Sequence, residues 1–154
     1  MSTPTAGLRA NYFATKPELI GRLRTLTQEQ DAFTLDRKVR ALVETRISQL
    51  NGCVYCTDRH SREARAWGEK QQRLDSLPVW RESPFFSRQE KAALAWAEAV
   101  TLLASAPPSD EFYTDLQAFY SETEIVELTL CASLANFWNR MAASFRKMPD
   151  AAVE

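Results

Sequence analysis

The stretch Gly52-Cys53-Val54-Tyr55-Cys56-Thr57-Asp58-Arg59-His60 places two cysteines three residues apart, with the chain's only histidine four residues past the second. On an α-helix, side chains three and four residues apart share a face. A helical backbone therefore gathers Cys53, Cys56 and His60 on one stripe. Asn51-Gly52 stands just before them, and glycine is the residue favoured immediately past a helix end. The local sequence thus predicts one helix stopping at Gly52 and another starting at or near Cys53.

The same periodicity runs through the rest of the chain. Leu19, Ile20, Leu23 and Leu26 supply an apolar face to a helix expected to begin near Pro17, since proline suits a first helical turn. Val39, Leu42, Val43, Ile47 and Leu50 recur at three- and four-residue steps and predict a helix over 36–50. The next helix should run toward Trp67-Gly68. Pro78 and Pro84 interrupt the segment that follows, leaving room for a short helix over 71–77. Ser87-Arg88-Gln89-Glu90 and Ser121-Glu122-Thr123-Glu124 have the form of capping boxes. They open helices expected over 88–104 and 124–145, with a shorter one capped by Ser109 and reaching Tyr120. In the last helix Ile125, Leu128, Ala132, Ala135 and Ala142 form one apolar line, and Val126, Leu130, Leu134, Phe137 and Met141 form a second. A helix apolar on most sides is buried on most sides. It lies either at the centre of a bundle or partly between subunits. The expected fold class is all-α, one domain over 1–154, with its chemical motif at 44–60.

Composition removes several functions. Nineteen basic against twenty acidic residues give a net charge of −1, which offers nucleic acid no clustered positive surface. Four glycines and no glycine-rich run argue against a phosphate-cradling loop. No apolar stretch approaches the roughly 20 residues needed to cross a bilayer. The first seven residues, Met1-Ser2-Thr3-Pro4-Thr5-Ala6-Gly7, show neither the basic start nor the apolar core of a secretory leader. The expectation is a cytoplasmic protein with no nucleic-acid or membrane partner. Three cysteines in a reducing compartment are a poor structural disulfide set.

Two thiols and an imidazole on one stripe admit three readings. In the first they are redox-active. A thiol attacks as thiolate, and the unpaired N–H groups of a helix's first turn favour that anion. His60 would take the proton of Cys56 or stabilise its charge. A peroxide would turn one thiolate into a sulfenic acid, which the neighbouring thiol would resolve to a disulfide. The same pair could run plain disulfide exchange. In the second reading Cys53, Cys56 and His60 are three ligands of an open zinc site. In the third the cysteines are small core residues and the histidine faces solvent. Glu44, in the preceding helix among apolar neighbours, is a candidate proton acceptor behind His60. Alternatively it pairs with Arg40 or Lys38. Asp58 and Arg59 should point away from the site, Tyr55 either reaches it or packs, and Cys131 reads as a small buried hydrophobe.

The run from Glu44 through Asn51-Gly52-Cys53-Val54-Tyr55-Cys56 to His60 resembles the signature of the alkylhydroperoxidase AhpD-like core, in the carboxymuconolactone decarboxylase superfamily. The resemblance continues in Ser87-Arg88-Gln89-Glu90-Lys91-Ala92-Ala93-Leu94-Ala95-Trp96-Ala97-Glu98-Ala99-Val100-Thr101 and Asn136-Phe137-Trp138-Asn139-Arg140-Met141. It implies an all-α fold, assembly into trimers or hexamers, and peroxidase-like activity with neither metal nor organic cofactor. By position, it makes Cys56 the peroxide-reactive thiol, Cys53 the resolving thiol and His60 the proton relay. The implied partners are a hydroperoxide substrate and an unidentified thiol or disulfide reductant. The decarboxylase branch lacks the cysteine pair, which disfavours that reaction. Two positions depart from the pattern. The relay glutamate twelve residues before the first cysteine falls on Ala41 here, and a histidine between the cysteines is replaced by Tyr55. Glu44, one turn on from Ala41, is the candidate substitute.

Overall fold

A computed structural model describes residues 7–150; residues 1–6, on which the expectation about a leader largely rests, and 151–154 lie outside the described residues. The regular structure among the described residues is helical, as expected from the periodicity. It comprises α1 (Tyr12–Thr15), α2 (Pro17–Glu29), α3 (Arg37–Leu50), α4 (Val54–Ala66), α5 (Gln71–Ser76), α6 (Arg88–Thr101), α7 (Asp110–Gln117) and α8 (Glu122–Ser144). Short 3₁₀ turns at Gln30–Ala32 and Leu77–Val79 follow α2 and α5. None of these helices is long and apolar enough to cross a membrane.

Local chemistry sets most helix starts. Asp36 accepts the Lys38 N–H ahead of α3, and Ser109 accepts the Phe112 N–H ahead of α7. Ser87–Glu90 and Ser121–Glu124 form complete capping boxes at α6 and α8. Each side-chain cap contributes on the order of 1 kcal/mol to its helix. α6 stops at Thr101 and α7 at Gln117, both three residues short of the expected ends.

α3 packs against α4, α6 and α8, and the core lies among them. Leu42, Val43 and Ile47 of α3, Ala93 and Leu94 of α6, and Leu128 and Ala132 of α8 are buried there. The first apolar line of α8 lies inside, from Ile125 to Ala142. The second does not. Val126 and Leu130 are 54% and 46% exposed, while Leu134, Phe137 and Met141 are half-buried. α2 also departs from expectation. Ile20 is buried, but Leu19 and Leu26 face outward. The reason is position: α2 packs on α1 and the turn that follows it, at the margin of the bundle.

A buried amide network ties the α3–α4 turn to α8. Asn51 Nδ2 donates to Asn136 Oδ1 at 2.9 Å and to Asn139 Oδ1 at 2.8 Å. Asn139 Nδ2 donates back to Ser48 Oγ of α3 at 3.1 Å. These bonds fix the end of α3 where the chain reverses through Gly52, whose φ of +62° is a left-handed value that costs other residues about 1–2 kcal/mol. The Asn139→Leu variant keeps the branched shape and the number of heavy atoms and removes both bonds. We expect it to lose about 1–3 kcal/mol of stability, read as a melting temperature lower by roughly 2 to 12 °C.

Candidate redox site

Cys53 caps α4. Its backbone leaves Gly52 extended, and its Sγ accepts the Cys56 N–H at 3.3 Å. This arrangement brings the Cys53 and Cys56 Cα atoms to 5.3 Å, and the structure joins the pair as a disulfide. Ala142 of α8 and Tyr55 pack against it. A small residue at 142 lets α8 approach the bridge closely. The two sulfurs are not equivalent: Cys56 lines a cavity of about 320 Å³, whereas Cys53 lies buried outside its lining.

His60, one turn past Cys56, lines the same cavity. Its Nδ1 stands 3.1 Å from Glu63 Oε2 and 3.5 Å from Glu44 Oε2. With Nδ1 turned to the carboxylates, Nε2 is the nitrogen left to exchange protons elsewhere. Glu44 is therefore the neighbour of His60 that the sequence pointed to, and also, 3.4 Å from Arg40 Nε, the partner of Arg40. Ala41 lies in the main core, one turn back on α3. A carboxylate does reach the histidine, but from Glu44.

The two carboxylates are shifted in opposite directions. Burial pushes the Glu44 carboxyl above its ordinary range, and the charges of His60 and Arg40 only partly offset this. Burial acts on Glu63 as well. There, hydrogen bonds from His60 and from Arg59, whose Nε lies 2.8 Å away, prevail and bring it down to about 2. Glu63 is a residue that sequence reasoning missed, although its i+3 spacing from His60 was the available signal. Arg59 is a correction. Expected to point away, it lines the cavity and pairs with Glu63. Asp58 does lie on the outer face, paired with Arg62. Tyr55 lines the cavity with its ring beneath the Lys147 ammonium. Cys131 is a free, buried thiol pushed up to about 12, chiefly by burial.

Metal-ligating atoms do converge, though not in the set expected from the sequence. Glu44, His60 and Glu63 offer atoms within 4.8 Å of one another. Arg40 and Arg59 already engage those carboxylates. In the bridged form, the cysteines offer no thiolate to a metal.

The sequence profile of the carboxymuconolactone decarboxylase family matches residues 19–99. The uncharacterized protein YdfG of Bacillus subtilis is 36% identical over 134 residues, covering 87% of this chain and 91% of that protein. A crystal structure from Agrobacterium tumefaciens, of a protein of unknown function proposed to be the antioxidant-defence protein AhpD, is 34% identical. It superposes with a TM-score of 0.92 over 95% of this chain and all of that one. The debrominase Bmp8 shares the fold at 23% identity, with a TM-score of 0.80 over 90% of this chain and 75% of its own.

The state of Glu63 has a measurable consequence. Its folded value, about 2, lies below the ordinary 4.5. The stability it contributes is therefore present above 4.5 and lost as pH falls toward 2. Urea midpoints measured from pH 6 to pH 2 should fall more steeply in wild type than in Glu63→Gln. Parallel curves would show that Glu63 is not held ionised.

Proposed function

The chain belongs to the carboxymuconolactone decarboxylase family, with AhpD-like relatives, and from that premise we propose that it is a thiol-dependent peroxidase. The observation that carries this reading is the placement of Cys56 and His60 on one cavity, with Cys53 at bridging distance behind.

In the reduced protein, Cys56 passes its proton to His60 and becomes a thiolate, helped by the α4 N-terminus. The thiolate attacks one oxygen of a hydroperoxide, ROOH, and the O–O bond breaks. The leaving alkoxide takes the proton back from His60 and departs as ROH, leaving Cys56 as a sulfenic acid. Cys53 sulfur then attacks the Cys56 sulfur. The S–S bond forms, and hydroxide leaves with the Cys53 proton as water. Two thiols and ROOH thus become a disulfide, ROH and water. An external dithiol returns the pair to the thiol form by exchange. Glu63, anionic at neutral pH, supports the imidazolium. Glu44, whose burial favours the protonated form, is suited to receive a proton from His60 and return it.

Stopped-flow oxidation of the reduced protein by hydrogen peroxide and cumene hydroperoxide tests this reading. Mass spectrometry should show a loss of two hydrogens on the Cys53–Cys56 peptide, reversed by dithiothreitol and abolished in Cys56→Ser. His60→Ala should slow the reaction about ten- to ten-thousand-fold, the usual range for acid–base assistance, with Glu44→Gln slower than wild type. A bridge that exchanges with dithiols but does not form with either peroxide would make the protein a general disulfide oxidoreductase instead.

The exposed line of α8 supports a homo-oligomer in which Val126 and Leu130 meet another subunit. Light scattering at micromolar concentration should give a trimer or hexamer mass, and Val126→Asp/Leu130→Asp should lower it. A monomer mass for the wild type removes the claim.

A further inference from the structure

The cavity beside Cys56 is more elaborate than a small peroxide requires. Hydrogen peroxide needs a thiolate, a proton source and room for two oxygens. This cavity holds about 320 Å³, the lower end of the range that accommodates drug-sized ligands. Phe13, Tyr55, Trp67 and Trp138 supply aromatic surface to its lining. The Phe13 and Trp138 rings lie nearly parallel, 7° apart, with centroids at 6.5 Å.

Its charges do not cancel. Arg40 engages Asp31 and Glu44, and Arg59 engages Glu63. Lys147 and Arg24 remain. Neither has a carboxylate within 4 Å among the described residues. Both are held by rings instead. The Lys147 ammonium sits 4.1 Å from the Tyr55 centroid and 4.8 Å from that of Phe13, and the Arg24 guanidinium lies 5.7 Å from Phe13. Two cations without a carboxylate partner among the described residues thus lie against the same Phe13 ring at the cavity.

A third feature is independent of these. Gln30 lines the cavity and is 3% exposed. Its Nε2 donates to the Thr27 carbonyl at 2.9 Å, which fixes the amide's orientation and leaves Oε1 buried without a partner. Unsatisfied buried acceptors are uncommon and costly, by about 1–3 kcal/mol each in general. Gln30 belongs to the cavity lining, so a small rotation of its side chain would turn this acceptor toward a ligand's O–H group.

We propose that this cavity binds an aromatic carboxylate bearing a hydroxyl or hydroperoxyl group. Lys147 and Arg24 take the carboxylate, the rings take the flat body, and Gln30 Oε1 accepts from the O–H group. The inference rests on the peroxidase reading only in making the hydroperoxide of such an acid the preferred oxidant. The binding itself is independent of it.

Isothermal titration calorimetry of the disulfide form separates the two claims, because the probes are unreactive. The probes are 4-hydroxybenzoate, benzoate and the uncharged benzyl alcohol. The expected order of affinity is 4-hydroxybenzoate above benzoate above benzyl alcohol. Lys147→Gln should weaken benzoate about ten- to a hundredfold, the usual worth of a hydrogen bond to a charged group, and benzyl alcohol far less. Arg24→Gln should act in the same direction. Gln30→Met, which keeps the bulk and removes the acceptor, should erase the advantage of 4-hydroxybenzoate over benzoate. Equal affinity for benzoate and benzyl alcohol, or no binding of any probe by a folded protein, overturns the proposal. Carboxylate binding together with inertness to peroxides would uphold the site and refute the peroxidase reading. Rapid oxidation of Cys56 without carboxylate binding would do the reverse.

Discussion

A carboxylate is buried where α3 meets α4, and the groups around it can be understood as the compensation its position demands. Removing an ion from water costs several kcal/mol even after relaxation. Glu44 meets that cost in two ways. Arg40, one turn back, stands 3.4 Å from one of its oxygens, and His60 of α4 stands 3.5 Å from the other. Burial also favours its protonated form, which needs less compensation. A buried carboxyl whose pKa is raised, set beside an imidazole, can exchange a proton with it. The same placement would be a liability at a helix contact with no chemistry to perform, where a hydrophobic residue of similar volume packs at lower cost.

The turn between the two helices is held as firmly as the ion pair. Asn51 is tied to α8 through Asn136 and Asn139, and Gly52 takes the left-handed conformation that reverses the chain. Cys53 then serves two purposes with one atom. Its sulfur ends the unpaired run at the α4 N-terminus by accepting the Cys56 N–H, and it stands at bridging distance from the Cys56 sulfur. Ala142 closes the site from behind. Helix capping, chain reversal and thiol pairing are therefore one local structure. Its geometry leaves Cys53 fully buried and still within bridging distance of Cys56.

The fold was legible where local chemistry decides. Ser87, Ser109 and Ser121 mark their helices because a cap depends on residues within one turn. The face of α2 was not legible. Its apolar spacing is genuine, but which residues of a marginal helix are covered depends on neighbours far along the chain, and Leu19 and Leu26 remain outside. The site divides in the same way. Cys53 and Cys56, and Cys56 and His60, are each one turn apart, so their spacing already implied their grouping. Glu44 reaches them from another helix, and only its apolar neighbours hinted at burial. Glu63 lay in plain view at i+3 from His60, yet an acid on an outward-reading helix looks like an ordinary solvated charge until its partners are known. Arg59 was misjudged for the same reason. Lys147 and Gln30 carry no sequence signal, because long-range packing brings them to the cavity.

α8 connects the chemistry to the exposed surface. Its inner line fills the core, while Leu134, Ala135, Trp138 and Ala142 line the cavity. Leu134 belongs also to the second apolar line, whose first members Val126 and Leu130 face outward. One helix therefore carries three boundaries: to the core, to the cavity and to the surroundings. Packed side chains transmit displacements because interiors are dense and poorly compressible. A subunit seated against Val126 and Leu130 would press on the helix that backs the disulfide. The cost of leaving these residues in water, about 25 cal/mol per Å² of apolar surface, favours covering them. Covering them would also restrain the cavity wall that Leu134 and Trp138 provide.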